Sequence, residues 1–279
     1  MNHNLLLRTV TGILFVAILV GCIVLSPISF GLLFCLVSAV SVDEFCNLMN
    51  RQDGVSVNKF VSITGAVCLF LSFYYFSIYP GQYAGLMVYV FILVYLLVSE
   101  LYRKKPNPIA NIAYTMMSQL YVALPFALFN LLAFQSAEDS DFTQYNFILP
   151  LSVFVFIWVN DTGAYCTGML FGRHRLFERI SPKKSWEGSI GGCIFSLLAA
   201  WGISLFFGDV MSVWKWLGLA LVIVVFGTWG DLTESLVKRT LGIKDSGNIL
   251  PGHGGMLDRF DSALMAIPSA ILYLMLTTI

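Results

Sequence analysis

The stretch "KDSGNILPGHGGMLDRFDS", residues 244–262, gathers five charged residues and a histidine around a run of glycines. Near its end, Asp258, Asp261 and Ser262 stand at i, i+3 and i+4, so a helix would place them on one face. Carboxylates are ligands that Mg²⁺ prefers, and glycine lets the backbone approach a ligand closely. The simpler interpretation is a helix cap, because acidic residues in a first turn complement the helix dipole.

A second polar face lies in "GDLTESLVKR", residues 230–239. A solvated helix end, with an i,i+4 ion pair between Glu234 and Lys238, would also explain this pattern. Four residues recur at i, i+3, i+4 and i+7 and so share one helical face: Asp231, Glu234, Ser235 and Lys238.

Together the two segments predict a site for a divalent cation and phosphate groups. Mg²⁺ is commonly shared between one or two carboxylates and a substrate phosphate, and Asp231 and Asp258 are the predicted ligands. Basic side chains would then face phosphate oxygens, the division of labour that phosphoryl or nucleotidyl transfer requires. These basic candidates are Lys238, Arg239, Lys244, His253 and Arg259.

Asp161 stands inside the otherwise apolar segment "WVNDTGAYCTGMLFG", residues 158–172. A carboxylate inside a membrane span is costly and therefore indicates function. A hydrogen bond to a neighbouring helix is the structural alternative. Small residues around it would permit close helix packing: Gly163, Ala164, Gly168 and Gly172.

The segment "SPKKSWEGSIGG", residues 181–192, places Lys183 and Lys184 beside a predicted span. Ser181-Pro182 is typical of a helix start. The two lysines would bind lipid or nucleotide phosphate, or simply attract anionic lipid. A stripe of small residues continues from here into the span: Gly188, Gly192 and Ser196.

The elements that must position these residues are membrane helices. The chain is 58% hydrophobic with a mean hydropathy of +0.80, which predicts an all-α polytopic membrane protein. We expect a single membrane domain with an N-terminal helical bundle at 1–147 and a catalytic half at 148–279, whose polar loops are 172–188 and 231–260. The fifth predicted span is the weakest, because it contains Gln119 and Pro125. Nine spans are predicted, near 9–26, 28–45, 60–79, 83–101, 112–134, 148–171, 189–207, 213–230 and 261–278.

The distribution of basic residues predicts the orientation. With the N-terminus cytoplasmic and the C-terminus outside, 15 of the 16 Lys and Arg residues fall in cytoplasmic segments, and only Lys215 falls outside. The formal net charge of zero gives no indication of a nucleic-acid partner. The six cysteines show no C-x-x-C pair, and no P-loop or dinucleotide-binding fingerprint is present.

The spaced pattern of charged residues and glycines from Ser235 to Asp261 resembles the signature of phosphatidate cytidylyltransferases, also called CDP-diacylglycerol synthases. The elements "NDTGAY", "SPKKSWEG" and "GDLTES" resemble further parts of that family in the expected order. The resemblance covers roughly residues 155–265. It implies transfer of CMP from CTP to phosphatidic acid, giving CDP-diacylglycerol and pyrophosphate, by a Mg²⁺-dependent homodimer in a bacterial cell membrane. It leaves open whether a monovalent cation such as K⁺ joins Mg²⁺.

The resemblance also implies a role for each matching residue. Asp231 and Asp258 correspond to the metal-centre aspartates, with Asp261 close by and Asp161 in the polar cavity. Lys238, Arg239, Lys244, His253 and Arg259 match phosphate-facing positions, and Lys183 and Lys184 match a basic element. Further candidates for substrate binding are Ser235, Asp245, Gly254 and Gly255.

Other functions remain open on the sequence. A lipid kinase could share the fold and some acidic positions. An alcohol phosphotransferase is disfavoured because its D-G-x-x-A-R…G-x-x-x-D-x-x-x-D arrangement is absent. An ion-coupled transporter would account for Asp161, but it predicts polar groups near mid-membrane in several spans, whereas most polar groups here lie at predicted span ends.

Overall fold

A computed structural model describes residues 3–136, 143–249, 252 and 254–278, and most of them are helical. Within those ranges, eight helices are long and apolar enough to cross a membrane, and Thr9–Leu25 is a shorter apolar helix. The predicted all-α polytopic membrane fold is confirmed. The longer helical elements are α1 (His3–Leu25), α2 (Pro27–Met49), α3 (Lys59–Ile78), α4 (Ala84–Arg103), α7 (Ile148–Phe171), α8 (Trp186–Phe206), α9 (Val213–Thr240) and α10 (Leu257–Thr278).

The doubtful fifth span is a composite helix over Pro108–Ala133. Its middle is π-helical, and the Leu124 N–H bonds to the Gln119 carbonyl five residues earlier. The buried Gln119 amide donates to the Ser62 carbonyl at 2.9 Å and accepts from the Tyr89 hydroxyl at 3.3 Å, so the span tolerates it. The three parts are α5 (Pro108–Met117), the π segment (Ser118–Ala123) and α6 (Leu124–Ala133).

In the part of the chain that the structure describes, two short antiparallel strand pairs interrupt the helices. The predicted helix start at Ser181-Pro182 is wrong, because residues 181–185 are extended and pair with the preceding strand. The helix begins at Trp186, where the Ser185 hydroxyl accepts the Gly188 N–H at 3.1 Å as an N-cap. The strands are β1 (Phe134–Ser136) with β2 (Thr143–Tyr145), and β3 (Arg175–Phe177) with β4 (Ser181–Ser185).

The helices form two compact units. The first comprises Met1–Phe147 and Leu241–Phe260, and the second comprises Ile148–Thr240 and Asp261–Ile279. The segment that contains most of the glycine-rich stretch therefore groups with the N-terminal helices. The predicted division of one membrane domain into a bundle at 1–147 and a catalytic half at 148–279 stays a prediction.

Aromatic packing anchors the glycine-rich segment in the first unit. The Phe260 side chain is 1% exposed, and its ring centroid lies 5.6 Å from that of Phe126 and 6.3 Å from that of Phe34. Phe34 in turn packs edge-to-face on Phe129 at 4.8 Å. These contacts fix the C-terminal end of the segment against α2 and α6.

Close packing of α7 and α8 dominates the second unit. A Cβ at Gly163 would lie 3.1 Å from the Gly192 Cα, and a Cβ at Gly192 would lie 2.5 Å from Asn160 Oδ1. The Ser196 hydroxyl also donates to the Phe156 carbonyl at 3.1 Å. The predicted small-residue packing is confirmed, because only residues without larger side chains allow this approach.

Candidate functional site

The Asp231 carboxylate on α9 is the centre of a polar cluster in the second unit. α9 continues as a helix to Thr240, as the composition of 230–239 predicts. Asp231 Oδ2 forms an ion pair with Lys184 Nζ from β4, and Oδ1 accepts a hydrogen bond from Ser235 Oγ at 3.2 Å. The β3–β4 hairpin therefore brings a predicted phosphate-binding lysine onto a predicted metal ligand.

Asp161 lines a cavity of about 220 Å³ beside this cluster. Lys184 and Asp231 are the charged side chains that act on its carboxyl group. Asn160 Oδ1 is buried and finds no hydrogen-bond partner in the part of the chain that the structure describes. The remaining lining comes from Ala164, Tyr165, Lys183, Ser185, Gly188, Ser189 and Thr228.

Glu234 and Lys238 form the ion pair that their spacing predicts. Lys238 Nζ lies 3.3 Å from Glu234 Oε2, and both side chains are almost fully buried. Glu234, on the same helix, thus partly neutralises the charge of Lys238.

Asp261 on α10 belongs to the same neighbourhood, because the charges of Asp231 and Lys238 act on its carboxyl group. Glycine at position 230 allows α9 to approach the backbone of Asp261, because a Cβ at Gly230 would lie 2.5 Å from the Asp261 carbonyl oxygen. The second unit therefore brings together Asp161, Lys184, Asp231 and Asp261.

Asp258 is the centre of a separate arrangement in the first unit. Its Oδ2 accepts hydrogen bonds from the Ser246 N–H at 2.8 Å, the Ser246 hydroxyl at 2.9 Å and the Gly255 N–H at 2.8 Å. Gly254 has φ +87°, and a Cβ there would lie 2.8 Å from the same oxygen. Glycine at 254 thus permits both the turn and the approach of the carboxylate.

Glu44 on α2 is a residue of this arrangement that sequence reasoning missed. Its carboxylate accepts hydrogen bonds from the Met256 N–H at 2.9 Å and the Leu257 N–H at 2.8 Å, at the start of α10. The sequence signal for Glu44 was that a carboxylate lies within the predicted membrane span 28–45. The same reasoning made Asp161 a candidate. Nothing in the local pattern, however, connects Glu44 to a loop more than 200 residues later.

The remaining predicted residues are more exposed. Arg239, Lys244, Asp245 and Arg259 are solvent-exposed, whereas Gly255 is buried and Gly254 is partly buried. The prediction for His253 falls outside the described residues.

Comparison with known proteins supports one family across nearly the whole chain. A family model described as the cytidylyltransferase family matches residues 6–277. The chain belongs to this family.

Named relatives of the family match as well. A phosphatidate cytidylyltransferase of Staphylococcus aureus strain COL is 33% identical over 269 residues, covering 94% of this chain and 95% of the relative. Enzymes of the same name from Staphylococcus haemolyticus and Staphylococcus epidermidis are 45% and 42% identical over 157 and 156 residues, about 56% of each chain. The chain is therefore a nucleotidyltransferase, and its apolar helices and bacterial relatives place it in the bacterial cell membrane as a multi-pass protein.

Carboxylates are the candidate ligands for a divalent cation in this cytidylyltransferase. Among the residues that the structure describes, no group of three or more His, Cys, Asp or Glu side chains could hold a metal ion. Mg²⁺ is often held by only one or two carboxylates together with substrate phosphates. A carboxylate offers about four lone-pair positions, and the contacts of Asp231 with Lys184 and Ser235 occupy two of them.

Proposed function

We propose that this cytidylyltransferase is a phosphatidate cytidylyltransferase, which converts CTP and phosphatidic acid to CDP-diacylglycerol and pyrophosphate. The observation that carries the proposal is the similarity to a relative of that name along 94% of this chain and 95% of the relative. The cavity beside Lys184 and Asp231, with Asp161 and Lys183 in its wall, supports a site for anionic groups next to carboxylates.

The reaction joins two polyanions. An oxygen of the phosphatidic acid phosphate attacks the α-phosphorus of CTP, and the bond from that phosphorus to the α–β bridging oxygen breaks. The electron pair leaves with pyrophosphate. A phosphate monoester is already an anionic nucleophile, so the reaction needs no Ser or Cys nucleophile. Catalysis must instead overcome charge repulsion and hold the groups in line.

We propose Asp231 and Asp258 as ligands for Mg²⁺. Bound there, Mg²⁺ would neutralise charge on the triphosphate and on the departing pyrophosphate. Lys183 and Lys184 line the cavity and would bind phosphate oxygens. Asp231 holds the Lys184 ammonium group in place, so the lysine is pre-oriented before a phosphate arrives. Arg239, Lys244 and Arg259 are exposed and are proposed to meet the soluble nucleotide.

The proposal includes an orientation and an assembly. Phosphatidic acid keeps its tails in the bilayer while its headgroup meets soluble CTP, so the site belongs at a membrane face. The distribution of Lys and Arg favours the cytoplasmic face for residues 172–188 and 231–260. The family resemblance favours a homodimer, which the mass of the purified protein in detergent would test.

Radiolabelled CTP distinguishes transfer of CMP from transfer of a phosphoryl group. Purified protein with Mg²⁺ and phosphatidic acid should move label from the α-phosphate of CTP into lipid and leave γ-label in pyrophosphate. Omission of phosphatidic acid and chelation of Mg²⁺ are the controls, and each should abolish transfer. Entry of γ-label into lipid would instead identify a lipid kinase and overturn the proposal.

A further inference from the structure

Glu44 is a buried carboxylate within a membrane-length helix. It lies on α2, and its residue is only 3% exposed. A buried charge is costly unless several donors compensate it. All the donors described for Glu44 come from the segment that leads into α10.

Both carboxylate oxygens of Glu44 take part. Oε1 accepts the Met256 N–H at 2.9 Å, and Oε2 accepts the Leu257 N–H at 2.8 Å. Ser246 Oγ lies 3.2 Å from Oε2. Because the Met256 and Leu257 N–H groups stand at the N-terminus of α10, the helix dipole also favours the negative charge.

Two glycines of the signature make room for this carboxylate. A Cβ at Gly247 would lie 2.5 Å from Glu44 Oε1, and a Cβ at Gly255 would collide with both Ser246 Oγ and Glu44 Oε2. Neither glycine has a positive φ, so the need for glycine here is one of space. Glu44 therefore accounts for glycine at position 247 and, together with Ser246, for glycine at position 255.

Ser246 connects Glu44 with Asp258. Its hydroxyl lies between Glu44 Oε2 at 3.2 Å and Asp258 Oδ2 at 2.9 Å, and its N–H donates to the same Asp258 oxygen at 2.8 Å. A hydroxyl has a single proton to donate, so the two carboxylates share one donor. A shift of the Glu44 carboxylate would thus move the residue that holds Asp258.

We propose that Glu44 is a positioning residue of the transfer reaction, which fixes the backbone at Met256 and Leu257 and, through Ser246, orients the Asp258 carboxylate. This proposal rests on the proposed function, in which Asp258 binds Mg²⁺. Glu44 itself touches no reacting atom. A residue that only anchors the fold would change stability, whereas a positioning residue changes the rate of the folded enzyme and the order of the segment it holds.

The substitution Glu44→Gln tests this directly. Glutamine keeps the shape of the side chain. Its NH₂ group, however, would face a backbone N–H that donates a hydrogen bond to the Glu44 carboxylate, so two donors would meet. The matched control is Glu100→Gln, since Glu100 is also buried in the first unit and accepts from Asn111 Nδ2 at 2.6 Å and Arg103 Nη1 at 2.8 Å. Both substitutions remove a buried charge, and only Glu44 faces the glycine-rich segment.

Two measurements on the purified full chain are expected to separate the variants. Glu44→Gln should lower kcat by about 10²-fold, the effect of a displacement of about 1 Å in a catalytic group, and raise the Mg²⁺ concentration at half-maximal rate. Hydrogen exchange should accelerate in peptides covering 244–260, because one of the two amides, Met256 or Leu257, loses its acceptor and meets a donor instead. Glu100→Gln should leave kcat per folded molecule and exchange in 244–260 unchanged.

Wild-type kcat, or wild-type exchange in 244–260, for folded Glu44→Gln overturns the proposal. So does an equal loss of kcat in both variants. If Glu44→Gln does not fold, Gly247→Ala is the second test, because its methyl group would press against Glu44 Oε1. It should give the same loss of kcat and the same faster exchange. Full activity in that variant would contradict a positioning role for Glu44. Failure of the proposed function is distinguishable, because the wild-type protein would then form no CDP-diacylglycerol while the exchange result still tests the contact.

Discussion

Lys184 on β4 forms an ion pair with Asp231 on α9, and both side chains are partly buried. The opposite charges hold each other at the edge of the cavity that Asp161 lines. Salt and water screen a partly buried ion pair less than a surface pair, so the attraction between its charges is stronger. Removal of one partner leaves the other charge partly buried and uncompensated. The pair thus joins a proposed metal ligand to a proposed phosphate-binding residue.

Asp231→Asn is expected to reduce transfer severely. An amide is a much weaker ligand for Mg²⁺, and it leaves Lys184 without its counter-ion. The expected loss is about 10²-fold or more in pyrophosphate release with CTP, Mg²⁺ and phosphatidic acid in detergent micelles. Asp209→Asn is the control, because Asp209 is an exposed acid of the same unit. Full activity of Asp231→Asn would remove the metal assignment.

Asp258→Asn is expected to be equally severe for a different structural reason. Asp258 Oδ2 gathers three donors from Ser246 and Gly255, and an asparagine NH₂ turned toward them would present donor to donor. The same pyrophosphate assay measures the effect, and Asp53→Asn, an exposed acid of the first unit, is the control. If Asp258→Asn released pyrophosphate at the rate of the control, Asp258 would have no part in binding Mg²⁺.

The sequence was sufficient to predict the helices because bilayer crossing imposes long apolar segments. The predicted span 148–171 coincides with α7, and the polar continuation 230–239 is helical because its residues keep the 3.6-residue period. The ion pair between Glu234 and Lys238 follows from the same period. Local spacing therefore predicts what a single helix determines.

The remaining features depend on contacts between distant segments. The extended Lys183 and Lys184 segment follows from pairing of β4 with β3, which overrides the Ser-Pro signal for a helix. The role of Glu44 depends on amides 212 and 213 residues later. A single sequence contains no signal for such a pairing. A carboxylate in an apolar span predicts that a hydrogen-bond partner exists, but it does not identify that partner.

The proposed orientation predicts the result of reporter fusions. Alkaline phosphatase fused after residue 279 should be active, because the C-terminus is expected outside, where the enzyme can fold and form its disulfides. The same reporter inserted after Lys105, in a predicted cytoplasmic segment with three basic residues, should be inactive. A reversed pattern in intact cells would place the glycine-rich segment on the wrong side for cytosolic CTP.

Gly230→Ala tests the close approach of α9 and α10 in the second unit. A Cβ at Gly230 would lie 2.5 Å from the Asp261 carbonyl and 3.1 Å from the Ser262 carbonyl, and both are backbone atoms that cannot rotate away. Overpacking of this kind costs about 1–3 kcal/mol, and the strain falls beside Asp231 and Asp261. We expect both a lower apparent Tm in detergent and reduced transfer activity.

Gly202→Ala is the matched control, because a Cβ at Gly202 on α8 meets nothing within 4 Å. Replacement of glycine by alanine in a helix interior otherwise stabilises it by about 0.5–1 kcal/mol, since glycine loses more backbone entropy on folding. The two variants should therefore shift the apparent Tm in opposite directions although the chemical change is identical. If Gly230→Ala raised the Tm as Gly202→Ala does and kept full activity, α9 and α10 would not need this contact to position Asp231 and Asp261.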